Sequence, residues 1–298
     1  MSYYIEPGEP FAKGLTRIRA EQNQKAIDAL TDPRPIRKGT HKARKHFKKL
    51  RAIYRLTRDA AGHRYYKDGN VFYRNRGREL EPLRDITSLL EALEQLSNRF
   101  AGQVKPEAFH AFEELLKTER RSIRQDFVGE DAALKSVRIQ LEERHQHLEQ
   151  LPVADDDLEA TVKSLHRVYK RGYKGFRKAR EKATAERMHE WRKRVKYLWY
   201  HHRLFKKTWP RVYKAYAKAC KALSDFLGDH HDLALLEHKA DQSAASLQSE
   251  QVKVIRALCR EQQRQLERAA FELGARVYAE APKAWAKRQR ALLARQPF

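Results

Sequence analysis

Two stretches decide the fold: residues 41–56, HKARKHFKKLRAIYRL, and residues 189–204, HEWRKRVKYLWYHHRL. Both repeat their apolar residues at spacings of three and four, which is the period of an α-helix and not of a half-buried strand. At about 100° per residue, Ala43, Phe47, Leu50 and Tyr54 fall on one side of the first helix. His41, Arg44, Lys48, Arg51 and Arg55 share an arc of roughly 80° beside them. Such a helix can bury an apolar face while its cations stay outside or line a groove. In the second stretch Trp191, Val195 and Leu198 take the apolar positions and His189, Arg192, Lys196 and Arg203 the cationic ones, with Trp199 in place of Arg51.

The stretches agree at seven of sixteen positions, Lys45 and Lys193 among them, at an offset of 148 in a chain of 298 residues. Near the same offset Leu83-Arg84-Asp85 meets His230-His231-Asp232. These matches predict an internally duplicated all-α chain. It is one domain over 1–298, with two four-helix-bundle-like halves, 1–152 and 153–298, related by a pseudo-twofold axis. Helices are predicted over 10–31, 40–60, 82–100, 106–127 and 131–150, and over 156–182, 185–207, 210–227, 230–247, 250–273 and 282–296. Pro33, Pro35, Gly62 and Pro152 are the expected stops, and Pro82, Pro106, Pro210 and Pro282 fall near starts. Residues 62–80, GHRYYKDGNVFYRNRGREL, hold three glycines and are expected to form a loop with at most one short helix.

The formal charge is +24, from 63 Lys and Arg against 39 Asp and Glu. It is concentrated. Residues 33–58 hold eleven bases and no acid, 161–180 eight and no acid, and 187–223 twelve against Glu190 alone, so the remaining residues are net negative. A one-signed field of this kind is the electrostatic footprint of a polyanion partner. No uncharged run exceeds the eight residues 242–249, far short of the roughly 20 apolar residues of a membrane helix. The start, MSYYIEP, lacks a basic segment leading into an apolar one, and a cytoplasmic location is expected. Cys220 and Cys259 have no Cys or His at metal spacing and are read as free thiols.

Like charges three and four residues apart destabilise an isolated helix, so each stripe needs compensation from outside, which an anionic ligand could supply. His41 and His189 admit three roles: a capping or core histidine, a metal ligand, or an imidazole that contacts phosphate. Metal is the weakest, because the neighbours are cations rather than acceptors. Tyr169, Tyr173 and Phe176 interleave with the cations of 166–180, where core packing outranks base stacking. No phosphate loop, dinucleotide turn, nucleophile elbow or Cys/His metal spacing is present. Asp229-His230-His231-Asp232 is the one hint of a metal phosphohydrolase. The first half keeps only Arg84-Asp85 there, so catalysis, cofactor and metal are not expected.

The order His41-x-x-Arg44-x-x-x-Lys48-x-x-Arg51, Arg84-Asp85, Tyr169-x-Arg171-Gly172, His189-x-x-Arg192-x-x-x-Lys196 and Leu227-Gly228-Asp229-x-x-Asp232 resembles the CHAD domain, the conserved-histidine α-helical domain. The resemblance covers essentially the whole chain. It implies paired helical bundles that bind inorganic polyphosphate without catalysis. The implied contacts are His41, Arg44, Lys45, Lys48, Arg51, Arg55, Tyr169, Arg171, His189, Arg192, Lys193, Lys196 and Arg203. Some members associate with polyphosphate or storage granules, and the resemblance extends that association to this chain. Binding of nucleic acid through its phosphates is the alternative, with metal-dependent phosphate hydrolysis behind it.

Overall fold

The computed structural model describes residues 3–31, 36–80, 82–126, 130–148, 150–154 and 157–294; among them no strand occurs. Eleven helices follow one another: α1 (Phe11–Thr31), α2 (Ile36–Leu56), α3 (Arg58–Glu79), α4 (Pro82–Arg99), α5 (Glu107–Asp126) and α6 (Glu130–Gln146), then α7 (Leu158–Glu181), α8 (Ala185–Leu204), α9 (Pro210–Gln242), α10 (Ser249–Val277) and α11 (Pro282–Leu293). The Asp157 carboxylate accepts the Ala160 N–H at 3.0 Å at the start of α7, and the Thr184 hydroxyl accepts the Arg187 N–H at 3.2 Å at the start of α8. Pro210 and Pro282 open α9 and α11, where a missing N–H leaves nothing unsatisfied. The expected stops at Pro33 and Pro35 lie outside the described residues. No helix among those described is long and apolar enough to cross a membrane.

Two expectations need correction. Residues 62–80 are not a loop but most of α3. Of the three glycines only Gly62, at φ 86°, leaves helical geometry, and it marks a kink rather than an end. Gly69 sits where α3 crosses α2, and a Cβ there would lie 2.2 Å from the Tyr54 ring. The run Tyr65, Tyr66, Phe72 and Tyr73 is an aromatic seam at helical spacing, with the buried Tyr73 hydroxyl donating to Asn23 Oδ1 at 2.9 Å. The break expected between 227 and 230 is also absent, because α9 runs through Gly228 unbroken.

The apolar side chains form three clusters, two of which cross the division at residue 152. One joins Tyr3, Ile5 and the first turns of α1 with the end of α2 and with α7, α8 and α11. The second combines α4 and α5 with the end of α9 and α10, and the third holds α1, α2, α3 and α6. Both cationic helices bury their apolar sides: Phe47, Leu50 and Tyr54 of α2, and Trp191, Val195 and Leu198 of α8, are at most 2% exposed. The two helices meet directly. His201 Nε2 of α8 donates to the Ala52 carbonyl of α2 at 2.9 Å, and Arg55 of α2 lies 4.1 Å from the Tyr197 ring centre.

The crossing at Gly69 has little slack. Gly69→Ala is expected to destabilise the chain by about 1–3 kcal/mol through overpacking against Tyr54. Gly77→Ala meets only Phe47 at 3.8 Å and should be neutral or gain roughly 0.5–1 kcal/mol. Denaturant unfolding of the two variants checks the contrast, and equal effects would refute the close crossing.

Burial lowers the pKa of His201 to about 4 and of His202 to about 3. Above the ordinary value near 6.5 both rings are neutral folded or unfolded, so nothing is lost. Below it the unfolded chain takes up protons that the folded chain refuses, down to the folded values, and each ring then removes up to about 1.4 kcal/mol per pH unit. His202 packs among Tyr213, Tyr216 and Trp285. His202→Phe should therefore flatten the fall in stability between pH 6 and pH 4, as measured by urea midpoints; an unchanged slope would contradict this.

Candidate anion-binding site

On α7 the cations Arg167, Arg171, Lys174 and Lys178 stand four, three and four residues apart, which places them on one face. That face looks across to Arg187 and Arg194 of α8, and the space between is a cavity of about 430 Å³ whose acids are Glu186 and Glu190. Arg171 and Arg194 also line a tighter recess, completed by Arg55 of α2, Arg58 and Tyr66 of α3, and Tyr197 of α8. Four helices thus bring a run of guanidinium groups into one groove.

The polar partners in that recess are mostly neutral. Arg55 donates to the Tyr66 hydroxyl at 2.6 Å and to the Tyr197 hydroxyl at 3.2 Å, and Arg51 Nε donates to Asn70 Oδ1 at 3.1 Å. Arg58 lies 4.8 Å from the Tyr66 ring centre. Arg167 and Arg194 are the exceptions: Arg167 is held by the Asp59 carboxylate at 2.7 Å, with Ser164 donating to the same carboxylate at 2.9 Å, and Arg194 donates to the Glu190 carboxylate at 3.2 Å. The uncompensated field shows in its neighbours. Burial alone would raise the Tyr197 hydroxyl, yet Arg55 and Arg51 pull it below its ordinary value. Arg171 is lowered by burial and then by Arg194 and Arg55, and Arg51 is lowered chiefly by burial. A multivalent anion here would relieve repulsion as well as form contacts.

A second cationic surface lies where α8 crosses α9. The His189 and His231 rings are 4.1 Å apart. Burial first, then Lys193 and Arg192, brings His189 down to about 4; burial, His189 and Arg192 bring His231 down to about 3. A Cβ on Gly228 would lie 3.1 Å from Arg192 Nη2, so this glycine lets the guanidinium lie against the α9 backbone. Further along α8, Arg203 and Lys49 of α2 both sit over the Tyr3 ring, at 5.3 and 5.6 Å. Burial and then Arg203 bring Lys49 down to about 8.

The structure brings together Arg51, Arg55 and Arg171 in the groove, and His189, Arg192 and Lys196 along the α8–α9 crossing. His41 and Lys45 are exposed on α2, with Arg44 and Lys48 half-buried beside them. Lys193 pairs with Glu190, and Arg203 also lies 5.3 Å from the Trp199 ring centre. Tyr169 is a correction. It is 1% exposed, stacks 4.3 Å from Trp285 and spends its hydroxyl on the Glu280 carbonyl at 3.0 Å, so it belongs to the core and not to a ligand surface. The side chains of Leu83, Arg84 and Asp85 lie outside those described.

Around the Asp-His-His-Asp run, His230 binds Glu267 at 2.9 Å, while Asp229 and Asp232 line a separate cavity of about 250 Å³ with Glu91, Arg99 and Gln262. No group of three or more metal-ligating side chains converges among the described residues. Arg58, Arg167, Arg194 and His231 were missed as site residues. The cation spacing on α7 could have flagged Arg167, whereas Arg58, Arg194 and His231 gain their neighbours only through tertiary packing.

No curated protein sequence matches the chain. The CHAD domain matches residues 15–241, which takes in both cationic helices, the α7 ladder and most of α9. That match covers well over half of the chain, and the protein belongs to the CHAD-domain family.

Proposed function

We propose that the chain binds inorganic polyphosphate without hydrolysing it, at polyphosphate-containing stores in the cytoplasm. The observation that carries this reading is the groove of Arg51, Arg55, Arg58, Arg171 and Arg194, where Arg51 and Arg55 are held by an amide and by tyrosine hydroxyls. Among the described residues Arg194 alone of the five donates to a carboxylate, that of Glu190, and Arg171 is lowered by burial and then by Arg194 and Arg55. A flexible chain with about one charge per phosphate can follow cations set at helical-turn intervals of about 5.4 Å. It takes bidentate contacts from Arg and point charges from Lys. Nucleic acid is the second reading, since its phosphates could use the same cations. Against it, Tyr169, Phe176 and Trp191 are packed in the core, which leaves few rings to stack on bases.

The two cationic helices are proposed to descend from one duplicated unit with a pseudo-twofold axis near the α2–α8 crossing. Supporting this, α7, α8, α10 and α11 follow α1, α2, α5 and α6 at about the same offset of 148 residues. The pair Arg55 with Tyr197 has its counterpart in Arg203 with Lys49 when each residue is exchanged for its match in the other half.

Competition at physiological salt between long-chain polyphosphate and single- or double-stranded nucleic acid, matched for charge, tests the ligand class; polyphosphate should win, and a preference for nucleic acid would overturn the proposal. Arg171→Gln with Arg194→Gln, and separately Arg192→Gln with Lys196→Gln, should each weaken binding by tenfold or more. Each pair should also lower the slope of log affinity against log salt by roughly two. Unliganded melting temperatures should hold or rise as repulsion is relieved. Unchanged affinity in folded variants would mark these faces as merely solvated.

Orthophosphate should not appear when the chain is incubated with polyphosphate or nucleoside triphosphates and magnesium or manganese, and EDTA should leave binding unaltered. Phosphate release that vanishes in Asp232→Ala would instead assign a metal phosphohydrolase.

A further inference from the structure

We propose that His189 and His231, with Arg192 and Lys196, form a seat for one phosphate group that is occupied with uptake of a proton. This rests on the anion-binding reading above and adds His231, from α9, as a binding residue.

The geometry sets the seat apart from an ordinary cationic surface. Two imidazoles from adjacent helices face each other at 4.1 Å, and His189 Nδ1 is buried with no hydrogen-bond partner. Arg192 reaches the crossing across the bare backbone of Gly228. From α8 the pair is faced by Arg192, Lys193 and Lys196, with Glu190 the one acid. From α9 it is faced by His230, whose own ring is bound to Glu267 of α10. Asp229 and Asp232 line the neighbouring cavity with Glu91 and Arg99 of α4 and Gln262 of α10.

Without ligand, burial and these cations keep both rings neutral, at about 4 and about 3. A phosphate oxygen at the edge of the pair reverses both causes, since it accepts an N–H from a ring and offsets the surrounding positive charge. One ring then protonates. The second stays neutral, because two imidazolium ions at this separation repel, and the proton belongs to the pair rather than to either ring. Uptake means that affinity rises as pH falls. If the bound pair returns to the ordinary histidine value near 6.5, affinity gains about tenfold between pH 7.5 and pH 5.5. Internal phosphates of a long chain stay ionised over this range, so the ligand adds little of its own.

Titration calorimetry of the full chain with long-chain polyphosphate at pH 6, in two buffers of different ionisation enthalpy, counts the protons. Wild type should take up most of a proton more than the double variant His189→Gln with His231→Gln, which has no ring left to accept it and should still bind, several-fold more weakly and with a flatter pH profile. Equal uptake in the two, with binding intact, overturns the seat and leaves the polyphosphate reading standing. Failure of wild type to bind at all refutes that reading instead. Should the double variant not fold, NMR titration of the wild-type imidazole resonances with and without tripolyphosphate decides the matter: two ring titrations that the anion does not move would overturn the inference.

Discussion

Repulsion among like charges on α2, α7 and α8 is the constraint that the rest of the structure answers. Cations at helical spacing within one stripe destabilise the helix that carries them and the groove in which they meet. What holds them is the other side of each helix. Trp191 packs against Phe176 and Phe271, Tyr54 against Tyr65 and Tyr73, and Tyr169 against Trp285. Large aromatic side chains bury the most area per residue, so a narrow apolar stripe can oppose a wide cationic one.

The same constraint explains why the halves interlock. A half with its own closed core would turn its cationic helix outward, and the stripes would stay apart. Here the end of α2 shares a core with α7, α8 and α11, while α4 and α5 close on α9 and α10. The bond from His201 to the Ala52 carbonyl fixes the crossing at its driest point. Arg55 and Tyr197 then meet one turn away, and both line the recess.

Helix class and most helix bounds were legible in the sequence because the apolar period is strong and prolines fall at edges. The loop assigned to 62–80 failed for a physical reason. Gly69 and Gly77 look like breakers when only neighbours in sequence are visible, yet Gly69 is there to admit Tyr54 from another helix. The break expected between 227 and 230 failed likewise, since the lack of a side chain at Gly228 makes room for Arg192 and does not end α9. Of the candidate site, the stripes on α2 and α8 could be read from spacing. The inward turn of Tyr169, the addition of Arg58 and Arg194, and the approach of His231 to His189 depend on how helices cross, which periodicity does not encode.

The choice of partners separates structural charge from charge kept available. Outside the groove, cations are matched to acids one turn away or across a helix pair: Lys117 with Glu113, Arg138 with Glu142, Arg276 with Glu272, Arg260 with Glu237. Within the recess, Arg51 and Arg55 are oriented by an amide oxygen and two phenol oxygens, which fix direction without removing charge. A carboxylate in place of Tyr66 or Tyr197 would hold Arg55 more firmly and would also neutralise the field that an incoming phosphate meets. Tyrosine leaves the guanidinium aimed and still positive, at the cost of repulsion that adds to burial in lowering Arg171. That repulsion is the strain an anion relieves, so the feature that destabilises the empty groove is the one that favours filling it.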